Sequence, residues 1–317
     1  MKNKYLITGG AGFIGSNLAD YLLKRGQEVV VFDDLSSGKR ENLDLGTVEL
    51  IEGDIRDLKT LAKAMHGCRA VFHLAAIGSV PRSVVDPLLF FDVNVNGTVN
   101  VLEAARKHGI KRLVFASSGS VYGGCKNGPL QEHMPIAPAS PYAASKATCE
   151  AYMKVYTKSY DMETVSLRYF NIFGPRQDLD RTHVPVIPAF VKSIATGQEP
   201  VIYGDGYQTR DFCHVDNVCL ANWLAATAPK ECCNGSSINI GCGESHTVNE
   251  IFSLLTSLFH TAIPAQHHDT RIGDTYHSVA DITLARQVLS YEPCVSFMSG
   301  LHSTAMWYAH RISNPSY

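Results

Sequence analysis

Through the first half of the chain, short apolar runs alternate with longer stretches of helical periodicity. The runs cover residues 5–8, 29–33, 48–52, 70–74, 112–117 and 164–168. Several are almost continuously apolar, as strands of a parallel sheet covered on both faces must be. Between them the spacing predicts helices over 16–25, 58–65, 87–108 and 141–160. Alternation of this kind predicts a doubly wound α/β sheet. After Gly174-Pro175 the pattern loosens, with prolines at 175, 185, 188 and 200 and glycines at 197, 204 and 206. Helical periodicity returns at 216–228, 248–259, 282–289 and 300–311, with Asp216 the expected N-cap of the first. The expected division is a doubly wound α/β domain over 1–175 and a smaller α/β domain over 176–317, some later segments returning to the first.

Composition narrows the class. A chain of 317 residues with 45% hydrophobic residues can bury a large core without disulfide or metal staples. A net charge of −2 and scattered Lys and Arg argue against a nucleic-acid partner. No apolar run reaches the roughly 18 residues of a membrane span, and the start, Met1-Lys2-Asn3-Lys4, does not read as a secretory leader. Nine cysteines without a C-x-x-C pair read as reduced thiols, so a cytoplasmic protein is expected.

The chemistry begins at Thr8-Gly9-Gly10-Ala11-Gly12-Phe13-Ile14-Gly15, a G-x-x-G-x-x-G turn between a strand and a helix. Gly9 and Gly12 allow backbone to approach a pyrophosphate at the helix N-terminus, and Gly15 allows close packing. The second strand ends in Asp33, 18 residues after Gly15, where an acid hydrogen-bonds an adenosine ribose and opposes a 2′-phosphate. That favours NAD over NADP, with Lys39 and Arg40 pulling the other way. Further on, Tyr142 and Lys146 lie four apart on a predicted helix and share a face. An ammonium beside a phenol favours the phenolate, which makes Tyr142 a candidate base. Ser117 and Ser118 close the fifth strand, at the sheet edge where ligands bind.

In its order of blocks the sequence resembles the nucleotide-sugar epimerases of the extended short-chain dehydrogenase/reductase family: TGGAGFIG, FDDLSSG, GDIRD, HLAAIGSVPRS, FASSGSVYG, SPYAASK, LRYFNIFGPRQ and GDGYQTRDFCHVDN. The resemblance implies a Rossmann domain with a C-terminal substrate domain, NAD as cofactor, a UDP-sugar as substrate and a homodimer paired through helices 87–108 and 142–160. It implies Tyr142 as base, Lys146 as its partner and Ser118 as the hydroxyl on the sugar O4. On the cofactor side it adds Phe13, Ile14, Asp54, Ile55, Leu74, Ala75, Ala76, Asn94 and Tyr169. On the substrate side it adds Asn171, Tyr203 against uracil, Arg210 and Arg271 on the diphosphate, and Asp274 on a ribose.

Related dehydratases carry an Asp-Glu pair after the serine, and related decarboxylases a Glu at position 120; here Gly119-Ser120 stand there. Inversion at C4 through a 4-keto sugar is therefore the expected reaction. Within the epimerases, the resemblance is to enzymes of UDP-N-acetylhexosamines. A bulky Tyr that restricts other members is replaced here by Ser278, leaving room for an N-acetyl group to swing. UDP-GlcNAc to UDP-GalNAc is the leading expectation, with UDP-glucose and UDP-glucuronate as alternatives. An NADPH-dependent sugar reductase and a non-catalytic nucleotide-sugar-binding protein are the readings of a different class. Asp211-Phe212-Cys213-His214 alternates along a strand and is not expected to bind metal, His267-His268-Asp269 reads as a polar loop, and His73 as a satisfied core histidine.

Overall fold

The computed structural model describes residues 2–124, 128–179, 184–270 and 276–313. In chain order the first half forms β1 (Lys4–Thr8), α1 (Phe13–Lys24), β2 (Glu28–Asp33), β3 (Glu49–Glu52), α2 (Leu58–Ala64), β4 (Cys68–His73), α3 (Val80–Val85), α4 (Pro87–Phe90), α5 (Gly97–Lys107), β5 (Arg112–Ser118), α6 (Pro141–Tyr160) and β6 (Glu163–Tyr169). The rest forms β7 (Ile172–Phe173), α7 (Val186–Ala195), β8 (Val201–Tyr203), β9 (Thr209–Arg210), β10 (Cys213–His214), α8 (Val215–Thr227), β11 (Asn234–Ile240), β12 (His246–Thr247), α9 (Val248–Leu258), β13 (Gln266–His268), β14 (His277–Ser278), α10 (Thr283–Leu289) and α11 (Phe297–Ser313).

Alternate strand residues feed opposite layers of the main sheet, as the two-residue period requires. Tyr5, Ile7, Val29, Val31, Val114 and Ile238 pack with residues of α1 and α8, whereas Leu6, Val30, Phe32, Val71 and Phe115 pack with residues of α2, α5 and α6. The sheet is parallel, in the order β11-β6-β5-β4-β1-β2-β3. This is the Rossmann order extended by one strand. Hence the expected doubly wound sheet is present, but its seventh strand comes from residues 234–240 and a covering helix from 215–227. The polar run Asn234-Gly235-Ser236-Ser237 hides β11 from a hydrophobicity reading. A separate core of Phe173, Ile187, Phe190, Phe212, Leu255, Phe297 and Leu301 holds the smaller lobe together.

The helix expected over 87–108 is continuous, with a wide π-turn at Phe91–Asn96 inside it and Asn94 buried there. Two local expectations need correction. The N-cap of α8 is His214, whose Nδ1 accepts from the Asp216 backbone N–H at 3.3 Å; Asp216 instead places its charge in the first turn. His267 and His268 belong to a short strand, β13, paired with β8, where a polar loop was expected.

Candidate active site

At the carboxyl end of β1 the chain turns through Gly9 at φ +71°, a conformation that suits glycine. A Cβ there would lie 2.6 Å from the backbone nitrogen of Ala75, so the turn packs directly on the segment after β4. Leu74 N–H donates to the Thr8 carbonyl at 3.0 Å and Ala75 N–H to the Thr8 hydroxyl at 3.4 Å, with Ala76 next in line. Gly15 sits so close that its Cβ would meet the Gly9 carbonyl oxygen at 2.3 Å. No side chain caps α1 after Gly12, so the helix N-terminus at Phe13 and Ile14 has no side-chain acceptor of its own. Exposed N–H groups and the helix dipole at that point suit a diphosphate.

Asp33 closes β2 with only 6% of its surface exposed. Its Oδ2 accepts from Ala11 N–H and its Oδ1 from Leu35 N–H, both at 2.9 Å. Each oxygen keeps a second lone pair for a ligand hydroxyl. Burial pushes its carboxyl up from the usual range and the two backbone bonds work against that. Asp54, in the segment after β3, is held by Arg56, whose Nε donates at 3.0 Å, and the pair keeps its carboxyl low. Neighbouring Ile55 is buried beneath Gly97, where an added Cβ would strike its side chain at 2.4 Å. Asn94 accepts from Ile77 N–H at 2.8 Å and donates to the Ser145 hydroxyl at 3.1 Å. It therefore ties the segment after β4 to α6.

The second cluster stands across from this cradle. Tyr142 lies in the first turn of α6, started by Ser140, whose hydroxyl accepts from Ala143 N–H at 3.2 Å. The Ser118 hydroxyl at the end of β5, which accepts from Ser120 N–H at 3.2 Å, lies near the Tyr142 phenol and works to lower its pKa, against a larger upward push from burial. Lys146 is 4% exposed, donates to the Ala116 carbonyl at 2.7 Å, and stands 6.0 Å from the Tyr142 ring centroid. Burial brings its pKa down to about 8, while Cys149 and Glu150 pull it upward. His73 is satisfied on both ring nitrogens, by Thr8 at 2.7 Å and Thr98 at 2.9 Å, as expected of a core histidine.

The substrate-side candidates gather beyond the ends of β6 and β11. Asn171 donates to the Asp211 carbonyl at 3.3 Å. Asp211, fully buried, accepts from the backbone N–H groups of Cys242 at 2.8 Å, Gly243 at 3.0 Å and Ala280 at 3.2 Å. That carboxylate clamps together β9, the turn after β11 and the chain after β14, a role the sequence did not suggest. Arg210 and Ser278 are register partners on β9 and β14. Tyr203, on β8, has its ring 5.9 Å from that of His268. The Tyr169 phenol points instead into the α8 layer, accepting from Asn222 at 2.8 Å, so only its backbone can face the cleft. Arg271 and Asp274 lie outside the described residues.

Residues 5–241 match the NAD dependent epimerase/dehydratase family. The chain belongs to that family. It is 39% identical over 312 residues to a UDP-glucose 4-epimerase of Mycolicibacterium smegmatis, covering 96% of this chain and 98% of the relative. Among solved structures, a UDP-N-acetylglucosamine 4-epimerase of Methanobrevibacter ruminantium, in complex with UDP-N-acetylmuramic acid, superposes with a TM-score of 0.93 at 40% identity. That match covers 98% of this chain and all of the other. A Thermus thermophilus UDP-glucose 4-epimerase in complex with NAD gives 0.87 at 38% identity, covering 96% and 98%. The expected family, Rossmann fold and NAD cofactor therefore stand, and the epimerase/dehydratase cradle described above fits a dinucleotide through its tight glycine turn, uncapped helix and buried acid.

Proposed function

We propose that this NAD-dependent enzyme inverts C4 of a UDP-hexose, taking UDP-GlcNAc to UDP-GalNAc, with Tyr142 as the base. The observation that carries the reaction type is the meeting of Ser118, Tyr142 and Lys146 at the carboxyl edge of the sheet. Gly9, Gly12, Phe13, Ile14, Asp33, Asp54 and the Leu74–Ala76 segment would hold the cofactor. Bound there, NAD supplies a reversible oxidant for the C4 carbon. Tyr142 takes the O4 proton and later returns it, so the same phenol serves both directions. The Ser118 hydroxyl, near the phenol, would orient O4 beside it. Lys146 holds a positive charge in a buried setting, which favours the phenolate. Asp33 opposes a net reductase fed by NADPH, because a carboxylate at the ribose repels a 2′-phosphate.

Substrate choice rests on Ser278. It is partly buried beside Arg210, and a small side chain there leaves space for a ring bearing an N-acetyl group. The likeness to the UDP-N-acetylglucosamine 4-epimerase supports the same choice. UDP-glucose is the second reading, favoured by the named activities of several relatives. Proton NMR of the purified protein with UDP-GlcNAc, UDP-glucose and UDP-glucuronate, without added cofactor, separates them. Appearance of UDP-GalNAc to equilibrium supports the proposal, and conversion of only another sugar replaces it.

A homodimer is part of this proposal. Val84, Val85, Leu88 and Phe91 are exposed on and around α3 and α4, and Tyr152 and Val155 on the adjoining α6. Val85 and Leu88 are 85% and 80% exposed, a cost that a second copy removes by covering the patch.

A further inference from the structure

We infer that Glu150 is a positioning residue for the epimerisation, fixing Ser118 through Ser117 and supporting the charge of Lys146; the inference rests on the Tyr142–Lys146 reading above. Tyr142, Lys146 and Glu150 follow one another at intervals of four on α6, forming one stripe toward the end of β5. Lys146 and Glu150 each hold a neighbouring residue of that strand end. Lys146 Nζ donates to the Ala116 carbonyl at 2.7 Å and the Ser117 hydroxyl donates to Glu150 Oε1 at 2.5 Å, with the Ser118 hydroxyl next along the strand and near the Tyr142 phenol. The strand end thus cannot slide along the helix without breaking hydrogen bonds at two successive residues, Ala116 and Ser117, immediately before Ser118.

The carboxylate is itself fixed from the far side. Arg168 of β6 donates to it in a fork, Nε to Oε1 at 2.9 Å and Nη2 to Oε2 at 2.7 Å. Its remaining Nη1 donates to the Tyr122 phenol at 2.8 Å, and that phenol donates to Asn239 Oδ1 on β11 at 2.8 Å. Every member is buried: Glu150 at 7%, Arg168 at 5%, Ser117 at 3%, Tyr122 at 4% and Asn239 at 0% exposure. A buried ion pair is weak evidence for stability, because desolvation offsets the attraction. Its placement, with one carboxylate oxygen on the residue before Ser118 and its charge one turn from Lys146, gives it a different use. The charged or titratable groups around Lys146 are Tyr142, Cys149 and Glu150 on α6 and His73 on β4; Glu150 is the carboxylate among them. Around Glu150 itself stand Arg168 from β6, the Tyr122 phenol behind it, and Cys149 on α6.

The test compares Glu150→Gln, which keeps an acceptor for Ser117 but removes the charge, with Ser117→Ala, which removes the pin alone. Both are measured for kcat and KM on whichever UDP-sugar the wild type converts, across pH, with bound NAD and melting temperature as controls of folding. Ser117→Ala is expected to lower kcat about tenfold with KM within twofold and no shift of the alkaline limb. Glu150→Gln is expected to lower kcat similarly and also to move the alkaline limb to lower pH by about half a unit or more, since Lys146 loses its carboxylate. If Glu150→Gln unfolds the protein, Glu150→Gln combined with Arg168→Met removes the stranded guanidinium and carries the same pH readout. Wild-type kcat, or a lowered kcat with an unmoved limb in the Glu150 variants, overturns the inference. A fully active Tyr142→Phe enzyme would instead overturn the underlying reading, so the two failures are distinguishable.

Discussion

Lys146 donates to the backbone carbonyl of Ala116 at 2.7 Å, and its Nζ also lies 4.8 Å from the centroid of the Phe115 ring. The carbonyl and the aromatic face stabilise a cation where burial opposes one, and they fix it beside the phenol. With its pKa brought down to about 8, Lys146 changes charge within the working range of an enzyme. The sign follows directly. Below that pH the ammonium is present and favours the Tyr142 phenolate; above it the charge is lost and the phenol is harder to ionise. Activity should therefore fall on the alkaline side from about pH 8, and a bound cationic cofactor moves this limb lower still. A kcat–pH profile checks this, and a flat profile up to pH 10 contradicts it.

Removing the phenolic oxygen tests the base directly. Tyr142→Phe keeps the ring, which packs edge-on against Phe90 at 6.5 Å between centroids, so the fold should survive. Turnover should drop by on the order of 10²-fold or more. The measurement is kcat by NMR beside a melting curve and a bound-NAD assay, both expected near wild type.

The parts of this site visible in the sequence are those with a fixed local spacing. The glycine turn, the acid at the end of β2 and the Tyr142–Lys146 step all follow from one helix or strand period, and the structure places each at the carboxyl edge of the sheet. Glu150 was equally available to that reasoning, being one more step of four along α6, but its meaning depends on Arg168, which only sheet pairing brings beside it. Asp211 was hidden for the same reason, since its three donors come from residues 242, 243 and 280. The strand β11 escaped because its side chains are largely polar, and the inward turn of Asn94 because a π-turn leaves no mark in a helical period.

The proposal gives Asp33 the preference for NAD. In Asp33→Asn one amide N–H₂ must face Ala11 N–H or Leu35 N–H, leaving a buried donor without an acceptor. That loss costs the fold about 1–3 kcal/mol, and the ribose hydroxyls lose a charged acceptor, a bond of about 1.5–3 kcal/mol that corresponds to tenfold or more in dinucleotide binding. The NAD released from heat-denatured protein, quantified against protein concentration, should fall well below the wild-type value. Unchanged occupancy would remove Asp33 from the cofactor site.

The exposed apolar patch predicts an assembly. Leu88→Asp places a charge on a surface already 80% exposed in the single chain, so the protomer's own fold should tolerate it. In a dimer buried on α3, α4 and α6 the same charge is desolvated without a partner and should dissociate the pair. Sedimentation velocity should show a dimer for the wild type and a monomer for the variant. A monomeric wild type at micromolar concentration ends the proposal.

Ser278 gives the sharpest test of substrate choice. It is the register partner of Arg210, and the Asp211 N–H that follows donates to the Ser278 carbonyl at 2.8 Å, so the backbone here is held independently of the side chain. Ser278→Tyr can therefore add bulk without removing a backbone contact. If the 4-keto sugar must turn over within the site, a tyrosine there obstructs the ring that carries an N-acetyl arm more than the ring that carries a hydroxyl. Competition assays with UDP-GlcNAc and UDP-glucose should show kcat/KM for the acetylated sugar falling by tenfold or more, about 1.4 kcal/mol in transition-state binding, while that for UDP-glucose changes by less than about threefold. Equal losses on both sugars would mean that position 278 supports the lobe and does not gate it.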